Sequence, residues 1–167
     1  KKSVVTQREL SIDTANYDVA FRAALREAPD IILLGEMRDP EAIRAAVTAA
    51  ESGHLVISTL HTIGAANTID RIIDVFPSAQ QQQIRTQLAL VLEGVASQQL
   101  ITAEDGSLMP AFEVMTATPA IRNMIRESKA HQLDTVIASS AAAGMSTMDQ
   151  SLLALVRSGR VSKHAAL

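Results

Sequence analysis

The chain of 167 residues is 47% hydrophobic and 20% charged, with a net charge of −3, which predicts an ordinary globular unit with a sizeable core. This charge excludes a strong electrostatic preference for nucleic acid, and an aromatic content of 2% is too low for stacking single-stranded bases. The absence of cysteine excludes disulfides and cysteine-ligated zinc, and no apolar run approaches the roughly 20 residues of a membrane-spanning helix. We therefore expect a cytoplasmic protein with neither a nucleic-acid partner nor direct membrane insertion.

A strand–helix–strand unit is predicted in residues 30–61, after an amphipathic helix in TANYDVAFRAALREAP that ends at Pro29. The run IILLG is typical of a strand buried on both faces of a parallel sheet. Asp39, Pro40 and Gly53 then have the N-cap, first-turn and terminating positions of a helix. HLVISTLH predicts a second buried strand, so the unit has the length of a βαβ crossover.

The next segments predict two more helices. AANTIDRIIDVF indicates the first, which ends at Pro77. Ser78 and Gln81 have the spacing of a capping box at the start of the second helix.

The sequence pattern changes from helical to strand-like at residue 95. VASQQLI and LMPAFEVMTA predict two strands joined by a turn at Asp105 and Gly106. After Thr118 the pattern predicts helices at 119–128, 130–143 and 147–158. We therefore expect an α/β core in residues 1–117 and a C-terminal helical subdomain in residues 118–167.

Two chemically active side chains follow the two predicted parallel strands. Glu36 lies after the first strand and His61 after the second. Ligands of open parallel sheets bind beyond the carboxyl ends of the strands, so an acid and an imidazole at one rim indicate a reaction site. The alternative is a solvated carboxylate and a structural histidine. Glu36 suits phosphoryl transfer as a base that orients water, and His61 suits contact with a terminal phosphate.

Other kinds of site are disfavoured. His54 and His61 are seven residues apart, so in one strand their side chains point to opposite faces. The sequence has no HExxH spacing and no GxSxG elbow. We therefore predict that the side chains of this protein form no structural metal site and that it has no serine nucleophile.

Several segments resemble one known family. IILLGEMRDPEAI resembles the Walker B segment of secretion-type hexameric ATPases, and GHLVISTLHT is similar to their His box. VVTQREL, TIDRIIDVFP and TPAIRNMIRE resemble segments of the type IV pilus retraction (twitching motility) ATPases, whose corresponding last motif is AIRNLIRE. The similarity runs from about residue 4 to the end of the chain. It implies a RecA-like P-loop ATPase core, with a parallel-rich sheet and flanking helices.

The resemblance assigns roles residue by residue. It implies that Glu36 is the catalytic glutamate and that Gly35 occupies the place where many P-loop enzymes have an aspartate. His54 and His61 match the His box, and His61 is the better candidate for nucleotide contact. Arg38 belongs to the Walker B motif, where contact with phosphate and contact with a neighbouring subunit are both open.

The resemblance also implies a segment that couples nucleotide state to subunit movement. It comprises Ala120, Ile121, Arg122, Asn123, Met124, Ile125, Arg126 and Glu127. Without the family, Ile121, Met124 and Ile125 indicate an ordinary amphipathic helix with a solvated basic edge formed by Arg122 and Arg126. With it, we expect substitutions at Ile121 or Arg122 to spare folding and weaken pilus retraction.

One part of the family pattern is missing from the sequence. A phosphate-binding loop has the pattern GxxxxGK[ST], and none of the four lysines here follows a glycine. The resemblance places this loop, an acidic box and a further domain on the amino side of Lys1. We therefore expect the core to be truncated at its amino side, and the isolated chain to bind ATP weakly and hydrolyse little of it.

The function implied for the intact protein is hydrolysis of Mg²⁺-bound ATP by a homo-hexamer that drives pilus retraction. Its implied partner is the platform protein of the pilus machinery at the inner membrane, where the ATPase would associate peripherally. One alternative is a pilus-extension or type II secretion ATPase, but those commonly carry a tetracysteine zinc motif that this chain lacks. Another is a non-catalytic interaction module without a phosphate-binding loop.

Overall fold

The chain divides between Leu60 and His61 into two compact units, and a short parallel sheet with helices organises the first. The structure is a computed structural model and describes residues 3–166. The elements of the first unit are α1 (Tyr17–Leu25), β1 (Ile31–Leu34), α2 (Pro40–Glu51) and β2 (Leu55–Ser58). The two strands pair in parallel from Ile31 opposite Leu55 to Leu34 opposite Ser58. The strand–helix–strand prediction is therefore confirmed.

Local sequence signals explain the boundaries of α2. The Asp39 side chain accepts a hydrogen bond of 2.8 Å from the amide of Ala42, and Pro40 occupies the first turn, where it needs no donor. Gly53 follows the helix with φ at +97°, a conformation that favours glycine. These features place β2 directly after the helix and beside β1.

The two faces of this small sheet differ in burial. On one face Leu34 packs against Ala42 and Ala46 of α2, together with four partly buried side chains: Tyr17, Phe21, Met37 and Val56. The other face carries four apolar side chains that are 48% to 71% exposed: Ile31, Leu33, Leu55 and Ile57. The prediction that the IILLG strand is buried on both faces is therefore wrong for this chain, because its helices cover a single face.

The second unit combines an antiparallel hairpin with helices. Its elements are α3 (Ala65–Asp74), α4 (Ser78–Val91), β3 (Gly94–Thr102), β4 (Leu108–Thr116), α5 (Pro119–Arg126), α6 (Leu133–Ser139) and α7 (Met148–Arg157). The hairpin pairs from Gly94 opposite Thr116 to Thr102 opposite Leu108, and Gly106 turns with φ at +81°. The predicted hairpin is therefore confirmed. The largest fully buried side chains of this unit are Ile69, Ile73, Met115, Ile121, Ile125, Leu133 and Ile137.

Two local predictions in this unit are wrong. Pro77 is the N-cap of α4, no side chain caps that helix, and the Gln81 amide donates to the carbonyl of Phe76 instead. The capping box predicted at Ser78 is therefore absent, because Ser78 is already the first helical residue. The predicted helix at 130–143 is shorter, since 3₁₀ turns at Ala130–Gln132 and Ala141–Ala143 flank α6.

The helices after residue 117 are bonded to the hairpin. Val114 and Ser146 exchange two backbone hydrogen bonds of 2.8 and 3.0 Å, and the amide of Phe112 donates to the Ser151 hydroxyl at 3.0 Å. The boundary predicted near residue 117 therefore lies inside one compact unit, and a separate subdomain at 118–167 stays a prediction. Within residues 3–166, no helix has both the length and the apolarity that crossing a membrane requires.

Candidate functional site: the rim after the parallel strands

Hydrogen bonds join the segments that leave the carboxyl ends of β1 and β2. The Thr59 hydroxyl donates to the carbonyl of Gly35 at 2.6 Å, and the amide of Met37 donates to the carbonyl of Thr59 at 3.1 Å. Glu36 lies between these two anchored residues. The backbone that carries the predicted catalytic carboxylate is therefore fixed from both sides.

The Glu36 carboxylate is oriented by Arg38. The Arg38 Nε atom donates to Glu36 Oε2 at 2.6 Å, and the exposed fractions of the two side chains are 77% for Arg38 and 22% for Glu36. An ion pair with one partner in solvent contributes little stability, so its main effect is on orientation. The sequence leaves two roles open for Arg38, and the structure adds a third, contact with the predicted catalytic acid.

Gly35 leaves space at the rim. A Cβ atom built on this residue meets no heavy atom within 4 Å, so packing does not demand glycine here. Gly35, which the resemblance predicts to occupy the place of an aspartate in many P-loop enzymes, is thus open on the side where a side chain would project.

His54 lies at the other end of β2. Its Nδ1 atom is 3.0 Å from the Ser52 hydroxyl oxygen and 3.3 Å from the carbonyl of Ala49, at the end of α2. The four residues of β2 separate it from Thr59, and the five steps between them span about 16 Å at roughly 3.3 Å per residue. The structure therefore does not bring His54 together with Glu36, and these contacts hold the end of α2.

His61 begins the second unit and is exposed. The loop that follows it is fixed within that unit, because the hydroxyls of Thr62 and Thr68 are 2.8 Å apart and Thr68 also lies 2.8 Å from the carbonyl of Gly64. His61 is thus carried on a well-bonded loop directly before α3. The predicted proximity of His61 to Glu36 stays a prediction.

The sequence analysis missed two residues that hold these segments in place, Thr59 and Glu113. Thr59 has no signal of its own, since its contact depends on the register of two strands that are distant in the chain. Glu113 does have one: it lies between Ala111 and Met115 on the inward face of β4, where each neighbour is buried. Alternate residues of a strand share one face, so a glutamate between two apolar residues on that face is expected to be buried. A buried carboxylate needs hydrogen-bond donors, and this requirement is the signal.

The predicted coupling segment forms α5. The Thr118 side chain caps the helix, while Ile121 and Ile125 are completely buried. Ala120 and Asn123 are exposed. The apolar stripe of the sequence prediction is thus part of the core of the second unit.

Arg122 has four hydrogen bonds that the sequence did not reveal. It donates to the carbonyls of Ala117, Ala89 and Leu90 at 3.0, 3.1 and 2.7 Å, and pairs with the Glu93 carboxylate at 2.9 Å. These bonds satisfy carbonyls at the end of α4, which lack partners within the helix. The alternative interpretation of Arg122 as part of a solvated basic edge is therefore wrong. The expectation that changing Ile121 or Arg122 spares folding is also contradicted, since one side chain is buried and the other joins two helices.

The polar side of α5 carries a second group of bonds. The Asn123 amide donates to Glu127 at 3.0 Å, Arg126 donates to Asn123 at 3.3 Å, and Lys129 pairs with Glu127 at 2.6 Å. The hydrogen bond from Lys129, followed by that from Asn123, lowers the pKa of the Glu127 carboxyl. Arg126 and Glu127 are thus bonded to neighbours on the surface and leave the core to Ile121 and Ile125.

Two other kinds of site were sought in the described residues. A cavity of about 190 Å³ lies against α1 and β1 in the first unit, and its lining, which includes Arg8, Tyr17 and Glu27, contains none of the predicted site residues. Within residues 3–166, no group of three or more His, Asp or Glu side chains is arranged to hold a metal ion. The candidate functional residues are therefore the rim that carries Glu36 in the first unit and, separately, the loop that carries His61 in the second.

Comparison with known proteins gives consistent matches. The family model described as "Type II/IV secretion system protein" matches residues 5–132. A twitching motility protein of Neisseria gonorrhoeae is 51% identical over an alignment of 167 residues, which covers 99% of this chain and 45% of that protein. The type IV pilus retraction ATPase PilT of Pseudomonas aeruginosa is 51% identical over 166 residues, 99% of this chain and 48% of that ATPase.

A solved structure matches the whole chain. The crystal structure of the pilus retraction motor PilT with bound ADP has a TM-score of 0.88 and 44% identity, and the match covers 100% of this chain and 47% of that one. The chain thus spans about half the length of the curated relatives it matches. The matches confirm the predicted RecA-like α/β class and the resemblance to pilus retraction ATPases.

Proposed function

Because the chain belongs to the type II/IV secretion system protein family, we propose that it is the part of a pilus retraction ATPase that carries the catalytic glutamate. The observation that carries this proposal is the 51% identity to a twitching motility protein over 99% of the chain. The carboxylate of Glu36, fixed at the end of a parallel strand, is the feature that suits the chemistry.

The reaction proposed for the full-length protein is hydrolysis of ATP. Glu36 orients the attacking water and accepts its proton, while Thr59 holds the backbone on both sides of the acid and Arg38 sets its orientation. His61 contacts the terminal phosphate from its own bonded loop. Bound Mg²⁺ would neutralise charge on the phosphates, and the half-buried carboxylate and the open space at Gly35 are compatible with a cation-bound phosphate beside them.

The phosphate-binding loop must come from residues outside this sequence. None of the lysines follows a glycine, so the required pattern is absent from the chain. The exposed apolar face of β1 and β2 supports the same conclusion, because four large aliphatic side chains in solvent are costly without a covering segment. We propose that residues on the amino side of Lys1 supply both the loop and this cover.

The assembly proposed for the full-length protein is a homo-hexamer that acts in the cytoplasm on the platform protein of the pilus machinery at the inner membrane. The helix α5 would transmit nucleotide state through its exposed and half-buried residues, Ala120, Asn123, Met124, Arg126 and Glu127. Ile121, Arg122 and Ile125 would keep that helix in place.

A gene deletion in the source bacterium tests the proposal. We expect loss of twitching motility with pili retained on the cell surface, since retraction fails while extension continues. The full-length gene should restore movement, and the same gene with Glu36→Gln should not. Loss of surface pili would instead identify an extension ATPase, loss of protein secretion a type II secretion ATPase, and full restoration by the Glu36→Gln gene a non-catalytic module.

A further inference from the structure

The buried polar side chains of the described residues converge on one loop. They are Thr68, Ser97 and Glu113, with exposed fractions of 7%, 5% and 7%. All three bind the segment between His61 and the first turn of α3. Burying polar groups is costly unless each is hydrogen-bonded, so this concentration indicates a segment whose position is strongly specified.

The strongest of these bonds come from the hairpin. Ser97 and Glu113 lie directly opposite each other in the register of β3 and β4. The amide of Gly64 donates to the Ser97 hydroxyl at 2.9 Å, and the amide of Ala65 donates to Glu113 Oε1 at 2.7 Å. A carboxylate is stabilised at the start of a helix, where amide groups lack partners and the dipole is positive.

Gly64 permits the backbone conformation of the loop beside this carboxylate. Its φ of +85° and ψ of 154° are a conformation available essentially to glycine, and a Cβ there would lie 3.4 Å from Glu113 Oε1. The backbone three residues after His61 thus has a glycine-specific conformation beside Glu113.

The second oxygen of Glu113 reaches another helix. The amide of Met148, the first residue of α7, donates to Glu113 Oε2 at 3.3 Å. One buried carboxylate therefore joins the starts of α3 and α7.

We propose that Glu113 is a positioning residue for His61, and that with Ser97 it holds the loop at 61–64 in the geometry in which the imidazole meets the terminal phosphate. This role rests on the proposed function, because it requires ATP hydrolysis by the full-length protein. A glutamate that only stabilised the hairpin would influence turnover equally whether or not the imidazole was present.

The test is a double-mutant cycle on ATP hydrolysis by the full-length protein. Glu113→Gln can satisfy one amide but presents an NH₂ group to the other, so we expect kcat to fall about tenfold, as displaced catalytic groups commonly cause. In a His61→Ala background the same substitution should lower kcat by less than about twofold, since the positioned group is gone. Ser97→Ala, which removes one acceptor from the loop and is milder for folding, should show the same dependence on background.

Thr147→Val is the matched control. It removes the side-chain cap of α7 and leaves the bonds to Gly64 and Ala65 in place. We expect a lower melting temperature with kcat unchanged. Hydrogen exchange at the amides of residues 62–65 should quicken in Glu113→Gln and stay unchanged in the control.

The outcomes separate the two proposals. Equal losses of kcat in the presence and absence of the imidazole, or unchanged exchange at 62–65, would refute the positioning role and leave the ATPase intact. Failure of the unaltered full-length protein to hydrolyse ATP would refute the proposed function, and the positioning role with it.

Discussion

The isolated 167-residue chain is expected to hydrolyse ATP at least about 10²-fold more slowly than the full-length protein. Catalysis of phosphoryl transfer depends on preorganised donors around the phosphates, and loss of even one such donor in other enzymes costs 10²–10³ in kcat. This chain contains the carboxylate but no glycine-rich loop with its lysine. Its affinity for ATP should also be much weaker, since the backbone amides that cradle the phosphates are missing.

Phosphate release by the two proteins under the same conditions measures this difference, and circular dichroism checks that the isolated chain is folded. The exposed face of β1 and β2 also predicts self-association of the isolated chain, so its size should be measured by light scattering at the assay concentration. Folded isolated chain with full-length rates would show that the site is complete without the missing loop.

Arg122→Ala is expected to lower the free energy of unfolding by about 2–4 kcal/mol, because it leaves carbonyls of α4 and the α5 junction without a partner. The Arg122 side chain is 22% exposed, so water replaces part of the hydrogen bonding that is lost. The result would show that Arg122, a residue of the predicted coupling segment, stabilises the fold.

Arg126→Ala is the matched control for this substitution. It removes the same side chain four residues later on α5, where the single bond to Asn123 is long at 3.3 Å. We expect a change of less than about 0.5 kcal/mol, as is usual at surface positions. Guanidinium denaturation of both variants, followed by circular dichroism, makes the comparison. Equal effects would contradict the role of Arg122 in joining α4 to α5.

The elements that could be predicted from the sequence have local signals. Asp39, Pro40 and Gly53 specify the ends of α2 within one short segment, and Asp105 with Gly106 specifies the hairpin turn. Local signals fail where they are ambiguous. Ser78 and Gln81 have the spacing of a capping box, but a serine and a glutamine three residues apart can equally lie inside the first turn of a helix. The structure shows the second arrangement, because the helix starts at Ser78 itself.

The features that could not be predicted depend on contacts distant in sequence. Arg122 binds carbonyls 32 and 33 residues earlier, so its pattern on α5 resembles an ordinary basic edge. The face of β1 that carries Leu33 reads as buried from its composition, but burial depends on which segment covers it. Glu36 stands out in the sequence because a carboxylate directly after an apolar strand is unusual, and its catalytic role stays a prediction. The contact of Thr59 with the neighbouring Gly35 has no such signal, because it depends on the pairing of two strands.

The substitution Glu36→Gln, made in the full-length protein, tests the central claim most directly, that this chain supplies the catalytic acid of an ATPase. The substitution keeps the shape and removes the base, so kcat should fall about 10²–10⁴-fold, while the dissociation constant for ATP stays within about threefold. Glu41→Gln, at an exposed carboxylate in the first turn of α2, should leave both quantities unchanged. An unchanged kcat in Glu36→Gln would contradict the claim.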